Sequence, residues 1–328
     1  MRKTAVAAVL VALSACGTAT GDGADTTLSL VGFAVPKAAN NAIQREWAKT
    51  PDGAGVTWQE SYGASGDQSR AVAGGLPADY VHFSLEGDVT RLVDAGLVAP
   101  EWDKGPTKGI VSTSVVVIAV RAGNPKGITG WDDLVEPGLG IVTPNPGSSG
   151  SARWNILAAY GHAQAAGLDA EDFTTRFFRN VVALPGSGRD ATTAFTGGTG
   201  DVLLTYENEA ILARQNGAAF DYIVPDTTLL IENPGAVLKS ADPKAVEWLR
   251  FVLGPTGQTE FARTGFRPVI DGISVEVPGA NDPANPFPAP RTLQTIAADF
   301  GGWPAASERF FAAETGVITS IQRETGKS

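Results

Sequence analysis

The chain is poor in the side chains that most enzymes and metal centres use. It has one cysteine and two histidines in 328 residues, which excludes an internal disulfide and leaves no partner for a thiol metal site. His82 and His162 stand eighty residues apart, with no cysteine or carboxylate cluster at ligand spacing beside either. Both read as structural, and neither a metal nor a cofactor is expected. Charged residues make up only 18% of the chain, and 25 basic residues face 35 acidic ones. That balance argues against nucleic acid and anionic lipid headgroups as partners. The one long apolar run, Thr4 to Leu13, is too short to span a bilayer as a helix. Walker A, S-x-x-K and G-x-S-x-G patterns are missing, and no repeat or low-complexity tract is present.

What the chain does have is apolar bulk and alternation. With 43% hydrophobic residues it can bury a sizeable core, and its length suggests two domains. Strand-like runs at Thr27 to Phe33, Gly55 to Glu60, Tyr80 to Ser84, Thr113 to Arg121, Gly140 to Thr143, Val181 to Leu184 and Asp201 to Tyr206 alternate with helical stretches. Those helices are expected at Pro36 to Ala48, Gln68 to Gly74, Asp88 to Ala95, Ser151 to Ala166, Asp169 to Asn180 and Glu207 to Gly217. A short one is expected at Trp131 to Leu134, and two more, each with proline in its first turn, at Pro243 to Gly254 and Pro255 to Thr264. The pattern predicts an α/β architecture with open sheets and ligands at the carboxyl ends of strands.

Three stretches place small residues where a strand gives way to a helix: SYGASGDQ (Ser61 to Gln68), TPNPGSSGSARWN (Thr143 to Asn155) and LPGSGRDATTAF (Leu184 to Phe195). The first amides of a helix have no intrahelical acceptor, and the dipole puts roughly half a positive charge there. Three such termini together would hold a small anion without a lysine or arginine. None carries a base, a nucleophile or a metal ligand, so binding is expected and catalysis is not. Pro185 to Ala191 also holds G-x-G-x-x-A, with Glu207 about twenty residues on, the pattern of an NAD-dependent oxidoreductase. Against that reading, Gly197 to Gly200 cuts the helix short and the unit is not first in the chain.

The N-terminus resembles a bacterial lipoprotein signal. Arg2 and Lys3 precede the apolar run, and Leu13-Ser14-Ala15-Cys16 matches the lipobox. The resemblance implies cleavage after residue 15, lipid on Cys16, a flexible tether over residues 16–26 and an extracytoplasmic protein held at the membrane. Removing residues 1–15 takes away two of the 25 basic residues and none of the 35 acidic ones, leaving a net charge of −12.

NPGSSGSARWN, SGRDATTAF and GDVLLTYENEA, preceded by VGFAVPKAA and SYGASGDQSRAV, are similar to the sulfate and thiosulfate binding proteins of bacterial ABC importers, over roughly residues 27 to 270. The resemblance implies a two-lobed periplasmic-binding-protein fold whose chain crosses twice between lobes, near Ser112 to Ser114 and near Ile223 to Asp226. Lobe 1 would then comprise residues 27–112 and 226–328, and lobe 2 residues 113–225. It also implies a dehydrated oxyanion in the cleft, presented by a monomer to a permease with its cytoplasmic ATPase. Carried over residue by residue, the donors are the Ala34 amide, the Ser65 hydroxyl, the amides of Ser149, Gly150 and Ser151, the Gly188 amide, and Tyr206 in place of an indole. The anion is sulfate or thiosulfate, with phosphate and molybdate as alternatives.

Charged residues beside these donors have two readings each. Asp67 compensates the helix dipole, or accepts the proton of a ligand such as hydrogen phosphate. Glu207 and Glu209 cap a helix, or orient loop amides from behind. Arg153 and Arg189 are expected to stay off the anion, and Trp154 could wall the cleft.

Overall fold

The computed structural model describes residues 26–327; the lipobox, Cys16 and the signal run lie outside them. The strands are β1 (Thr27–Phe33), β2 (Thr57–Gly63), β3 (Tyr80–His82), β4 (Ile110–Arg121), β5 (Ile141–Val142), β6 (Val181–Ala183), β7 (Val202–Tyr206), β8 (Phe220–Ile223), β9 (Thr227–Val237) and β10 (Thr292–Gln294). The helices are α1 (Lys37–Trp47), α2 (Ser65–Ala73), α3 (Glu86–Asp94), α4 (Gly150–Ala165), α5 (Ala170–Asn180), α6 (Gly188–Thr196), α7 (Glu207–Gln215), α8 (Lys244–Leu253), α9 (Pro255–Arg263), α10 (Ile296–Asp299), α11 (Trp303–Phe311) and α12 (Val317–Thr325). A 3-10 turn covers Asp132–Val135.

The strands run in the order β2-β1-β3-β9-β4-β7-β5-β6, with β8 on β4 and β10 on β9. β1 pairs in parallel with β2 and β3, and β5 in parallel with β6 and β7. These two parallel sets are joined by antiparallel β4 and β9. β4 pairs with β9 through Ser112 to Val115 and with β7 through Val116 to Val120. β9 continues past β4 to pair with β3. Both strands therefore belong to both halves of the sheet. Val115 to Val120 are all buried, which explains why this run is continuously apolar and not alternating.

α4 lies at the centre. Twelve of its 16 residues are buried, so it is apolar nearly all round, as a helix packed on every side must be. Residues 292–327, grouped with the first lobe on sequence grounds, pack mainly on α4 and α5, with a contact to α3 as well. α12 lies on α5, and α11 touches both α12 and α3. Trp303 meets Trp154 edge-on at 4.7 Å, and Phe310 meets Tyr160 at 4.8 Å.

Helix starts differ in how their free amides are satisfied. Asp169 caps α5 by accepting from the amides of Glu171 and Asp172, and Ser187 caps α6 by accepting from Asp190 N alone. The residues before α2 and α4, Ala64 and Ser149, give no side-chain cap. The donors of these two starts are left pointing out of the helix.

Candidate functional site

The uncapped starts of α2 and α4 and the half-capped start of α6 meet around Ser84, at the carboxyl end of β3. The Ser84 amide donates to Ser65 Oγ at 2.9 Å, and Ser84 Oγ lies 2.8 Å from Tyr206 Oη at the end of β7. The Ser84 carbonyl accepts from Trp154 Nε1 at 2.9 Å and from Asn233 Nδ2 at 3.2 Å. Ser65, Ser84, Ser149, Ser151, Tyr206 and Asn233 are all buried.

Two glycines make the close approach possible. A methyl group on Gly150 would fall 2.5 Å from Ser84 Oγ, and one on Gly188 would fall 2.9 Å from Ser151 Oγ and 3.3 Å from a Val35 methyl. The start of α6 therefore abuts both the start of α4 and the β1–α1 turn. Small residues here admit backbone where any larger side chain would hold the helices apart.

The sequence expectations divide at this point. The amides of Gly150, Ser151 and Gly188 sit in the first turns of their helices with no protein acceptor among the described residues. Tyr206 joins them, its hydroxyl 2.8 Å from Ser84 Oγ; burial pushes that phenol well above its ordinary range, so it stays protonated. Three expected donors are otherwise engaged. The Ala34 amide extends the β1–β2 ladder by donating to Gly63 O at 2.9 Å, and the Ser149 amide closes a turn onto Asn145 O at 2.8 Å. The Ser65 hydroxyl donates to Asp88 Oδ2 at 2.6 Å. What these positions offer is different: the Ser65 and Gly66 amides at the start of α2, the Ser149 hydroxyl, and the Val35 amide one residue after Ala34, none of which has an acceptor among the described residues.

Charged neighbours hold the scaffold and stay off the donors. Glu209, 2% exposed, takes both ends of Arg189 at 2.6 and 3.0 Å, and Arg189 Nη2 also donates to Val35 O at 3.2 Å. This pair fixes the α6 start to the β1–α1 turn. Burial pushes the Glu209 carboxyl up, with Arg189 and Thr192 opposing. Glu207, fully buried, is held by Arg267 at 2.7 and 3.0 Å. Arg153 donates to Pro146 O at 3.2 Å and stacks on Phe311. Asp67, 57% exposed, pairs with Arg70 on the surface of α2.

Ser84 and Asp88 were missed by sequence reasoning. Ser84 carried one usable signal, its place at the carboxyl end of a buried strand. Both histidines engage neighbouring side chains. His82 is buried between Asn40 Oδ1 at 3.2 Å and Ser112 Oγ at 3.3 Å, and burial lowers its pKa from 6.5 to about 3. His162 contacts Asp132 at 2.9 Å. Among the described residues no His, Cys, Asp or Glu group is arranged to hold a metal ion. The site is thus a cradle of neutral donors, suited to an acceptor-only anion.

The model of the family described as bacterial extracellular solute-binding protein matches residues 28–267. The chain is 40% identical over 323 residues to a sulfate-binding protein of Synechococcus elongatus, covering 93% of this chain and 90% of that one. It is 34% identical over 296 residues to a thiosulfate-binding protein of Pseudomonas aeruginosa, covering 86% of each. Among solved structures, the sulfate-binding protein SubI from Mycobacterium tuberculosis superposes with a TM-score of 0.81 at 43% identity, covering 88% of this chain and 100% of that one.

Proposed function

The chain belongs to the bacterial extracellular solute-binding protein family, and from that premise we propose that it captures sulfate or thiosulfate and delivers it to an ABC importer permease with its cytoplasmic ATPase. The observation that carries the reading is the meeting of uncapped helix starts around Ser84, with the amides of Ser65, Gly150, Ser151 and Gly188 and the Tyr206 hydroxyl as donors. Their dipoles act where the net charge of the protein opposes an anion. The protein works by binding, as its named relatives do, and outside the cytoplasm.

Selectivity follows from protons. Sulfate is a pure acceptor near neutral pH, whereas hydrogen phosphate must place a proton on an acceptor. Asp67 lies on the surface against Arg70, and Asp88 is already bonded to Ser65 and Arg91. A phosphate proton would face donors and be rejected.

In this reading β4 and β9 are the crossings between two lobes. Donors from both sides meet the anion only when the lobes close, so the ligand stabilises the closed state by differential contact. The mature protein is a monomer tethered through lipid on Cys16. Isothermal titration against sulfate, thiosulfate, molybdate and phosphate tests the assignment. Sulfate or thiosulfate should bind with 1:1 stoichiometry and phosphate poorly; tight phosphate binding with no sulfate binding would replace the ligand, and no binding of any of the four would overturn the function. Metabolic labelling with palmitate, lost in Cys16→Ala, tests the anchor.

A further inference from the structure

A cationic cavity adjoins the neutral donor cradle and shares Gly66, Ser149 and Gly150 with it. A cavity of about 220 Å³ opens where the starts of α2 and α4 meet, lined by Arg70, Arg91, Arg153, Gly150 and Trp303. A methyl group on Gly66 would lie 3.1 Å from Ser148 O and 3.3 Å from Arg70 Nη1. Arg70 therefore folds back over the α2 start at its junction with the α4 turn.

The three guanidinium groups are incompletely neutralised. Arg70 pairs directly with Asp67, but both side chains are more than half exposed, so solvent screens the pair. Arg91 bonds Asp88 Oδ1 at 3.0 Å and Ser69 Oγ at 2.7 Å. Arg153 has no carboxylate within ion-pair distance among the described residues; a carbonyl and the Phe311 ring hold it. Burial and the like charges of Arg91 and Arg70 act against its charge, with Asp88 alone opposing. Two carboxylates thus face three cations, with the positive ends of two helices in the same wall. In a chain of net charge −10, this local excess of cations runs against the overall charge of the protein.

We propose that this cavity is an encounter subsite, where a small divalent oxyanion is first held by Arg70, Arg91 and Arg153 before it reaches the neutral donors around Ser84. The proposal rests on the oxyanion-binding reading above and adds a kinetic role that the neutral cradle does not supply. Cationic funnels raise association rates and lose that advantage in salt, whereas direct contacts in the bound state show in dissociation.

The test uses the dissociation constant for sulfate from calorimetry and the dissociation rate from a chase of ³⁵S-sulfate with unlabelled sulfate; their ratio gives the association rate. At low ionic strength Arg70→Gln should lower the association rate roughly threefold and Arg70→Glu roughly tenfold, with dissociation unchanged. Asp67→Asn, which frees Arg70 from its partner, should raise it. The differences should vanish in about 0.5 M sodium chloride. Arg70 is half-exposed, so the folds should be equal by circular dichroism. Equal association rates across the series, or changes confined to the dissociation rate, would overturn the encounter subsite while sulfate binding stands. Failure of the unaltered protein to bind sulfate would instead overturn the functional reading itself.

Discussion

Ser65→Ala separates two roles that a serine at a helix start can play. If its hydroxyl served the anion, the substitution would act on affinity and leave the fold untouched. The hydroxyl instead bridges two buried groups, donating to Asp88 and accepting from the Ser84 amide. Alanine leaves both short of a partner. A buried polar group without its hydrogen bond costs about 1–3 kcal/mol, so the loss of two should be roughly 2–6 kcal/mol of unfolding free energy. Asp88 keeps Arg91 on its other oxygen, which places the expected value towards the lower end. The amide of residue 65 remains available, so the dissociation constant for sulfate should rise less than about tenfold, through a loosened α2 start. Urea denaturation without sulfate, beside calorimetry with it, measures the two quantities. Unchanged stability together with a hundredfold loss of affinity would refute the argument and return the hydroxyl to the anion.

Tyr206→Phe removes the hydroxyl that meets Ser84 Oγ across the two halves and should weaken sulfate binding by about tenfold, as loss of one charge-assisted donor would; calorimetry reads this, and parental affinity would make the ring a wall only. Glu209→Gln breaks the ion pair of a buried carboxylate with a half-exposed arginine and should cost about 1–3 kcal/mol of stability. It should also weaken sulfate binding by freeing the α6 start, as measured by thermal unfolding with and without the anion. His82 sets a pH dependence. Its folded pKa is about 3 against 6.5 unfolded, so the unfolded chain takes up the proton first as pH falls. Its contribution to stability is full above about pH 6.5 and declines towards pH 3, by at most about 1.4 kcal/mol per unit. His82→Gln should show a shallower loss of stability between pH 6.5 and 4 than the parent, and parallel curves would exclude the histidine as the source.

Strand and helix alternation was legible because periodicity and turn residues are local. β4 announced itself as a run of β-branched residues, and α4 as a long apolar helix. β9 went unread because Asn233-Pro234-Gly235 in its middle looks like a turn. Pro234 is tolerated there because the β4–β9 register shifts at Ile110, where the missing amide donor interrupts no regular ladder. The C-terminal helices α10, α11 and α12 are short and separated by glycine-containing turns, and long-range packing on α4, α5 and α3 holds them. At the site, the glycine-rich turns carried the convergence of helix starts, since only small residues allow it. The use of each donor did not follow. Asp88 is 23 residues from the serine it engages, the Ala34 amide is taken by a carbonyl on a neighbouring strand, and no local pattern encodes either pairing.

The packing of the C-terminal helices gives the chain a geometric property. The described residues begin beside β1 in one half of the sheet and finish in α12, docked on α5 of the other. Any rotation of one half about the β4–β9 pair changes the distance between the two chain ends. A fluorophore pair attached at Thr26 and Lys327 is therefore a molecular ruler for opening, needing no label within the anion cradle.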